Sequence, residues 1–264
     1  MIFNLFSISF FERYDRAGYG SSYSGPFPRT SRQIALELKE LMEAANVSGP
    51  IILIGEGFAS FNIMSLAQNL SHKVKGMVLV EGLSPNFAQI ESSAFNITPQ
   101  EWNDQFQSKL NTENVFRVFD PLAIWSIKYR LQSNNTLYQM NVEEKLIEVH
   151  GKTNGRYVSA VWNERRYLLE SASQVAQLES IRDIPVLLFI ANSNFTCQGN
   201  VECQQKRKSN IAKQRMAEEL GNLFAQSEIV VDQSHTEELM LNNPSFISQN
   251  IIRFFNLTTI LNEG

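Results

Sequence analysis

The sequence predicts an α/β fold: a mostly parallel sheet with helices on both faces. Two observations carry this. Short apolar runs, Ile51–Ile54, Met77–Val80, Val186–Ile190 and Ile229–Val231, have the length and continuity of buried parallel strands. Between them stand stretches with helical apolar spacing, so strand and helix alternate along most of the chain. At 264 residues, 43% apolar and 19% charged, the chain can bury one sizeable core. Its net charge of -4 points away from nucleic acid as a partner. No run approaches the roughly 20 apolar residues of a membrane-spanning helix.

Met1–Phe11 is apolar but has no basic leader and no small-residue cleavage site, which favours a buried strand over a signal peptide or anchor. The glycines and serines after Tyr14 predict a loop leaving a strand that ends there, with Asp15 and Arg16 pairing with each other or capping nearby backbone. Thr30 and Gln33 have the spacing of a capping box. From there Ile34, Ala35, Leu38, Leu41, Met42 and Ala45 form an apolar stripe, ended by Gly49-Pro50.

Pro50–Ser60 is the central stretch: strand Ile51–Ile54, glycine turn Gly55-Glu56-Gly57, and a helix from Phe58 to Leu70. This layout sets one residue at the tip of a sheet, and that residue is Gly57. A bare structural turn needing φ > 0 explains the glycines equally well. As a dinucleotide loop the segment is weak: the third glycine is absent, and Glu81 only loosely meets the need for an acid about 20 positions on. Neither a cofactor nor a metal is expected. His72 reads as a solvated helix-end residue, and Lys206-Arg207-Lys208 as a solvated helix start.

The alternation breaks between Leu83 and Ser180, which holds Trp102, Trp125 and Trp162 and many other aromatics at helical spacing. We expect a helical lid insertion over residues 85–180, flanked by two parts of the core, 1–84 and 181–264. Its aromatics line an apolar ligand cavity or fill the insertion's own core. Ile184–Ile190 is the next strand. A helix over Lys206–Leu223, the strand around Ile229–Val231 and a closing helix after Asn243-Pro244 follow.

Taken together, Tyr14-Asp15-Arg16-Ala17-Gly18-Tyr19-Gly20-x-Ser22, Ile54–Ser60, Met77–Glu81, Ile184–Asn194 and His235 before Asn243-Pro244 resemble the α/β-hydrolase fold family, in particular its lid-bearing ester- and epoxide-processing branch. The resemblance covers most of the chain. It implies a nucleophile at the tip of a G-x-S-x-G elbow, an acid and a histidine base. By position these fall on Gly57, Asn194 and His235, so only the histidine is kept. Glu81, at the end of the strand after the elbow, is the candidate for a relocated acid. The Phe58 amide is the elbow's candidate oxyanion donor. Ser60, one helical turn further on, should point away from the histidine. The resemblance also implies strands before Tyr14 that have no counterpart in Met1–Phe11. The expected remedy is direct pairing of the early strand, about Leu5–Arg13, beside Ile51–Ile54.

Two functions follow from the resemblance. One is a catalytically inactive relative that binds a small apolar ligand or a protein partner. The alternative is a residual carboxylic-ester hydrolase in which His235 activates water as a general base. Cys197 and Cys203 stand close enough in sequence for a disulfide or for two separate thiols. Asn-x-Ser/Thr sequences begin at Asn46, Asn69, Asn96, Asn134, Asn194 and Asn256. They leave the compartment open between the cytoplasm and the secretory lumen.

Overall fold

The computed structural model describes residues 12–47, 49–119, 155–176, 179–192, 201–233 and 243–257. Four parallel strands lie in the order β1 (Ile51–Glu56), β2 (Val74–Val80), β3 (Val186–Ala191), β4 (Ser227–Asp232). The register is continuous: Leu53 lies opposite Met77, Met77 opposite Val186, and Leu188 opposite Ile229. Parallel neighbours need crossover connections. Two helices supply them directly, α2 (Ala59–Leu70) between β1 and β2, and α7 (Val201–Leu223) between β3 and β4.

The sheet is covered on both faces. On one, Phe61, Met64, Leu66 and Ala67 of α2 and Met216 and Leu220 of α7 bury against Met77, Leu79, Val186 and Leu188. Helix α1 (Ser31–Ala44) packs on α2 and adds Ala35 to this core. On the other, Ile247 and Ile251 of α8 (Pro244–Phe254) meet Val78, Val80, Leu187 and Phe189. Burial on both sides is why β2 and β3 read as nearly unbroken apolar runs. Each fully buried aliphatic side chain contributes about 1.5–3 kcal/mol relative to exposure. Strand β4 instead alternates, leaving Ile229 and Val231 more than a third exposed.

The local signals resolve in detail. Thr30 caps α1, its side-chain oxygen accepting the Gln33 N–H at 3.3 Å. The reciprocal half of the box is not made, because the Gln33 amide donates to Glu37 at 3.1 Å. Leu41, expected on the apolar stripe, is 44% exposed. The expected strand end near Tyr14 is corrected: Glu12 to Arg16 run as irregular backbone. The expected pairing of the early strand, about Leu5–Arg13, beside β1 lies outside the described residues except for Glu12 and Arg13, which are irregular.

Between β2 and β3 the chain is helical wherever it is described, through α3 (Phe87–Phe95), α4 (Pro99–Phe119), α5 (Gly155–Arg166), α6 (Leu168–Gln174) and a 3-10 turn at Glu179–Ile181. Its described aromatics are engaged in packing. Trp102 stacks on Phe106 at 5.1 Å, meets Phe87 edge-on at 5.7 Å, and donates its indole N–H to Glu91 at 2.8 Å. The Trp162 indole donates to the Leu110 carbonyl at 3.1 Å, fastening α5 to α4.

Candidate functional site

Parallel strands present their C-terminal ends on one edge, which is where α/β sheets gather their chemistry. Here the ends are stitched together by backbone bonds: Gly57 N–H to Val80 O (3.0 Å), Glu81 N–H to Phe189 O (2.8 Å) and Asn192 N–H to Asp232 O (2.8 Å). Gly57, Glu81, Asn192 and Asp232 therefore form one row along the edge.

Gly57 stands at the tip with φ +54°. Among the described residues a Cβ there would meet no heavy atom within 4 Å, so on that side the position is open to a side chain it does not carry. Gly55, one step down, is confined, since a Cβ would lie 2.8 Å from the Ala59 carbonyl oxygen. The turn is thus built as an elbow, tight at its base and open at its tip. Phe58 follows with α-helical angles and packs edge-on against Phe61 at 6.3 Å. Its N–H belongs to the group of amides that a helix start leaves without an intrahelical acceptor.

Ser60 is fully buried. Its hydroxyl donates to the Gly57 carbonyl at 2.7 Å and accepts the Leu83 N–H at 3.0 Å. It therefore ties the elbow to the loop after β2 and offers no free oxygen to a substrate. Glu81 adopts φ +47°, a left-handed conformation uncommon for a non-glycine residue. Its carboxylate receives Lys213 of α7 at 2.7 Å. Asn194 and His235 lie outside the described residues. Asp232, not singled out in the sequence, ends β4 only 4% exposed and accepts from the Asn243 amide at 2.7 Å. Its signal was a lone acid after a branched run, three residues before His235.

A second constellation joins the loop after Tyr14 to helix α5. Arg16 does not pair with Asp15. Its Nε and Nη2 donate to the two carboxylate oxygens of Glu164, at 3.2 and 3.0 Å. The Tyr19 hydroxyl donates to the same carboxylate at 2.6 Å, and the Arg16 guanidinium lies 4.2 Å from the Tyr19 ring centre. Asp15 instead accepts the Ser21 N–H. Gly18, at φ +89°, lets the loop reach α5, because a Cβ there would sit 2.6 Å from Cβ of Ala160. Next to it Arg29, 1% exposed, pairs with Glu37 at 2.6 Å, and its N–H donates to the Asn163 side chain at 2.7 Å.

Burial, opposed by Arg16 and reinforced by Glu164, pushes the Tyr19 phenol far above its ordinary value of 10.0. The folded state therefore keeps a proton that the unfolded chain gives up. The associated stability is fully present below about pH 10 and is lost as pH rises toward the folded value. Unfolding free energy is expected to fall above about pH 10, with up to about 1.4 kcal/mol per pH unit coming from this group. Denaturant titrations of wild type and Tyr19→Phe check it, since the variant should show a shallower alkaline slope.

Two clefts stand out among the described residues. One, of about 400 Å³, lies between α3 and α7 and is lined by Asn96, Arg207, Lys208 and Arg215. The other, of about 480 Å³, is at the opposite end of the strands beside His72, Val74 and Pro185. Neither includes Gly57. Among the described residues no three of His, Cys, Asp and Glu gather to hold a metal.

The chain is similar to solved structures whose architecture is this one. A putative epoxide hydrolase from Pseudomonas aeruginosa superposes with a TM-score of 0.61 at 14% identity, covering 94% of this chain and 79% of that one. An α/β-hydrolase enzyme from a Medee basin deep-sea metagenome gives 0.55 at 15%, over 92% and 78%. A thermophilic esterase from Thermogutta terrifontis gives 0.53 at 15%, over 93% and 78%. The chain has the α/β-hydrolase fold. In sequence, 106 residues are 28% identical to the uncharacterized protein YqjL of Bacillus subtilis, spanning 40% of each chain. No protein-family profile matches.

Proposed function

We propose that this protein is a catalytically inactive member of the α/β-hydrolase group that holds a small apolar ligand at the strand-end edge. The observation that carries the reading is the elbow: Gly57 has the left-handed angle and the open space of a nucleophile position, and no side chain. The nearest hydroxyl in sequence, Ser60, is buried and committed to two backbone partners. Covalent acyl transfer needs a free nucleophile beside a base. The sequence supplies a base, His235, without one. The neutral Asn194 at the acid position supports the same reading, since an amide carries no charge to stabilise an imidazolium. Half-buried Phe58 beside the open tip favours an apolar occupant over a charged one.

The test is a fluorophosphonate probe combined with turnover of short-chain p-nitrophenyl esters. We expect no covalent adduct and no turnover above a buffer control. An adduct at any residue, accompanied by ester turnover, would defeat the reading. Turnover without an adduct that vanishes in His235→Ala would replace it with water activation by a general base.

A further inference from the structure

We propose that Asn96 carries an N-linked glycan. The acceptor sequence Asn96-Ile97-Thr98 lies wholly within the described residues, at the junction of α3 and α4. Asn96 is exposed and left-handed (φ 55°), and its carboxamide makes no hydrogen bond among the described residues. It closes α3 and stands on the rim of the α3–α7 cleft, where a bulky hydrophilic group projects into solvent without entering the core.

Both flanking residues also cap helices. Asn96 ends α3, and Thr98 exchanges hydrogen bonds with Glu101 at the start of α4. Capping alone would explain their presence, so the choice rests on two further observations. Cys203 at the start of α7 is disulfide-bonded, a state that oxidising compartments favour. That is the environment in which asparagine glycosylation occurs on secreted chains. Second, the acceptor asparagines within the described residues (Asn46, Asn69, Asn96, Asn256) are all exposed, whereas the buried asparagines, Asn62, Asn163 and Asn210, are all outside acceptor sequences. A chain that receives glycans before folding must keep every occupied asparagine at the surface.

The step is a glycosyl transfer from a lipid-linked oligosaccharyl pyrophosphate. The Asn96 side-chain nitrogen forms a bond to the anomeric carbon while that carbon's bond to the pyrophosphate oxygen breaks. The leaving pyrophosphate takes the electron pair, and the amide loses one proton. Asn69 offers a contrast: it sits within α2 and donates to the Ser65 carbonyl at 3.0 Å, so a glycan there would have to displace that bond.

The protein purified from the cells that make it is digested after treatment with peptide-N-glycosidase in heavy-oxygen water. We expect the Asn96 peptide to carry heavy-labelled aspartate and the Asn69 peptide to remain unmodified. Electrophoresis should show a mobility shift on glycosidase treatment. Asn96→Gln should remove one glycan from the pattern, and Thr98→Ser, which keeps both the acceptor sequence and a capping hydroxyl, should retain it. An Asn96 peptide found only as unmodified asparagine would overturn the proposal. So would a Cys203 peptide that is fully alkylated without prior reduction.

Discussion

Glu164→Ala is expected to lower the unfolding free energy by about 3–5 kcal/mol, a large share of the ~5–15 kcal/mol typical of a domain. Glu164 is only 5% exposed and accepts from Arg16 twice and from Tyr19 once. Its removal strands a guanidinium and a phenol in a site organised around a carboxylate. The penalty is mainly the uncompensated buried charge, not the lost attraction. Arg16→Met combined with Glu164→Leu should therefore recover much of the loss, because well-packed apolar pairs often replace buried ion pairs at no cost. Urea unfolding at neutral pH measures all three chains. A loss below about 1 kcal/mol, the size of an exposed pair, would show that these charges remain solvated.

This cluster has a consequence for the site. Helix α5 is pinned on one side to the Arg16–Tyr19 loop and on the other to α4 through Trp162. Helix α4 in turn reaches α3 through Trp102 and Phe87. The helical segment is thus tied to the N-terminal part of the chain by the Glu164 carboxylate, together with Asn163 and Ser171, which accept the Arg29 and Ser31 N–H groups. Loosening that anchor is expected to unsettle whatever the segment covers before it disturbs the strands.

Strands β2 and β3 are legible because burial on both faces leaves a one-dimensional trace, a short unbroken apolar run. The elbow was legible for a similar reason: Gly55 and Gly57 each answer a local constraint, a close approach in one case and a positive φ in the other. The Arg16–Glu164 pair was not, because its members are 148 positions apart and nothing near Arg16 signals a distant partner. Sequence reasoning offered Asp15 as a partner, which local backbone bonds had already taken. The sequence points to Lys206 as the start of α7, whereas the helix begins at Val201. Its first turns are polar and carry no apolar periodicity, so only backbone geometry marks them. Glu81 was found as a strand-end acid, but its commitment to Lys213 across the α7 packing could not be read from either residue alone.

Gly57→Ser by itself is expected to restore no useful ester hydrolysis. The variant should fold: no heavy atom of the described residues lies within 4 Å of the new Cβ, and a non-glycine residue in the left-handed region costs about 1–2 kcal/mol. The introduced hydroxyl would be a nucleophile at the elbow tip, with the Phe58 amide alongside as an oxyanion donor. What it lacks is a charged partner for His235. In triad enzymes an amide in place of the acid lowers kcat by about 10⁴, because the imidazole is no longer held in the right tautomer and its developing charge is not balanced. On the proposed reading, with Asn194 at the acid position, this chain is in that condition. Adding Asn194→Asp to Gly57→Ser should therefore raise turnover by several orders of magnitude over the single variant, up to about 10⁴. The measurement is p-nitrophenyl acetate turnover by wild type, both single variants and the double. Circular dichroism confirms that each is folded. Equal rates in the single and double variants would show that the acid position is not what silences the elbow, and a Gly57→Ser enzyme as fast as an intact triad would remove the case for an inactive site.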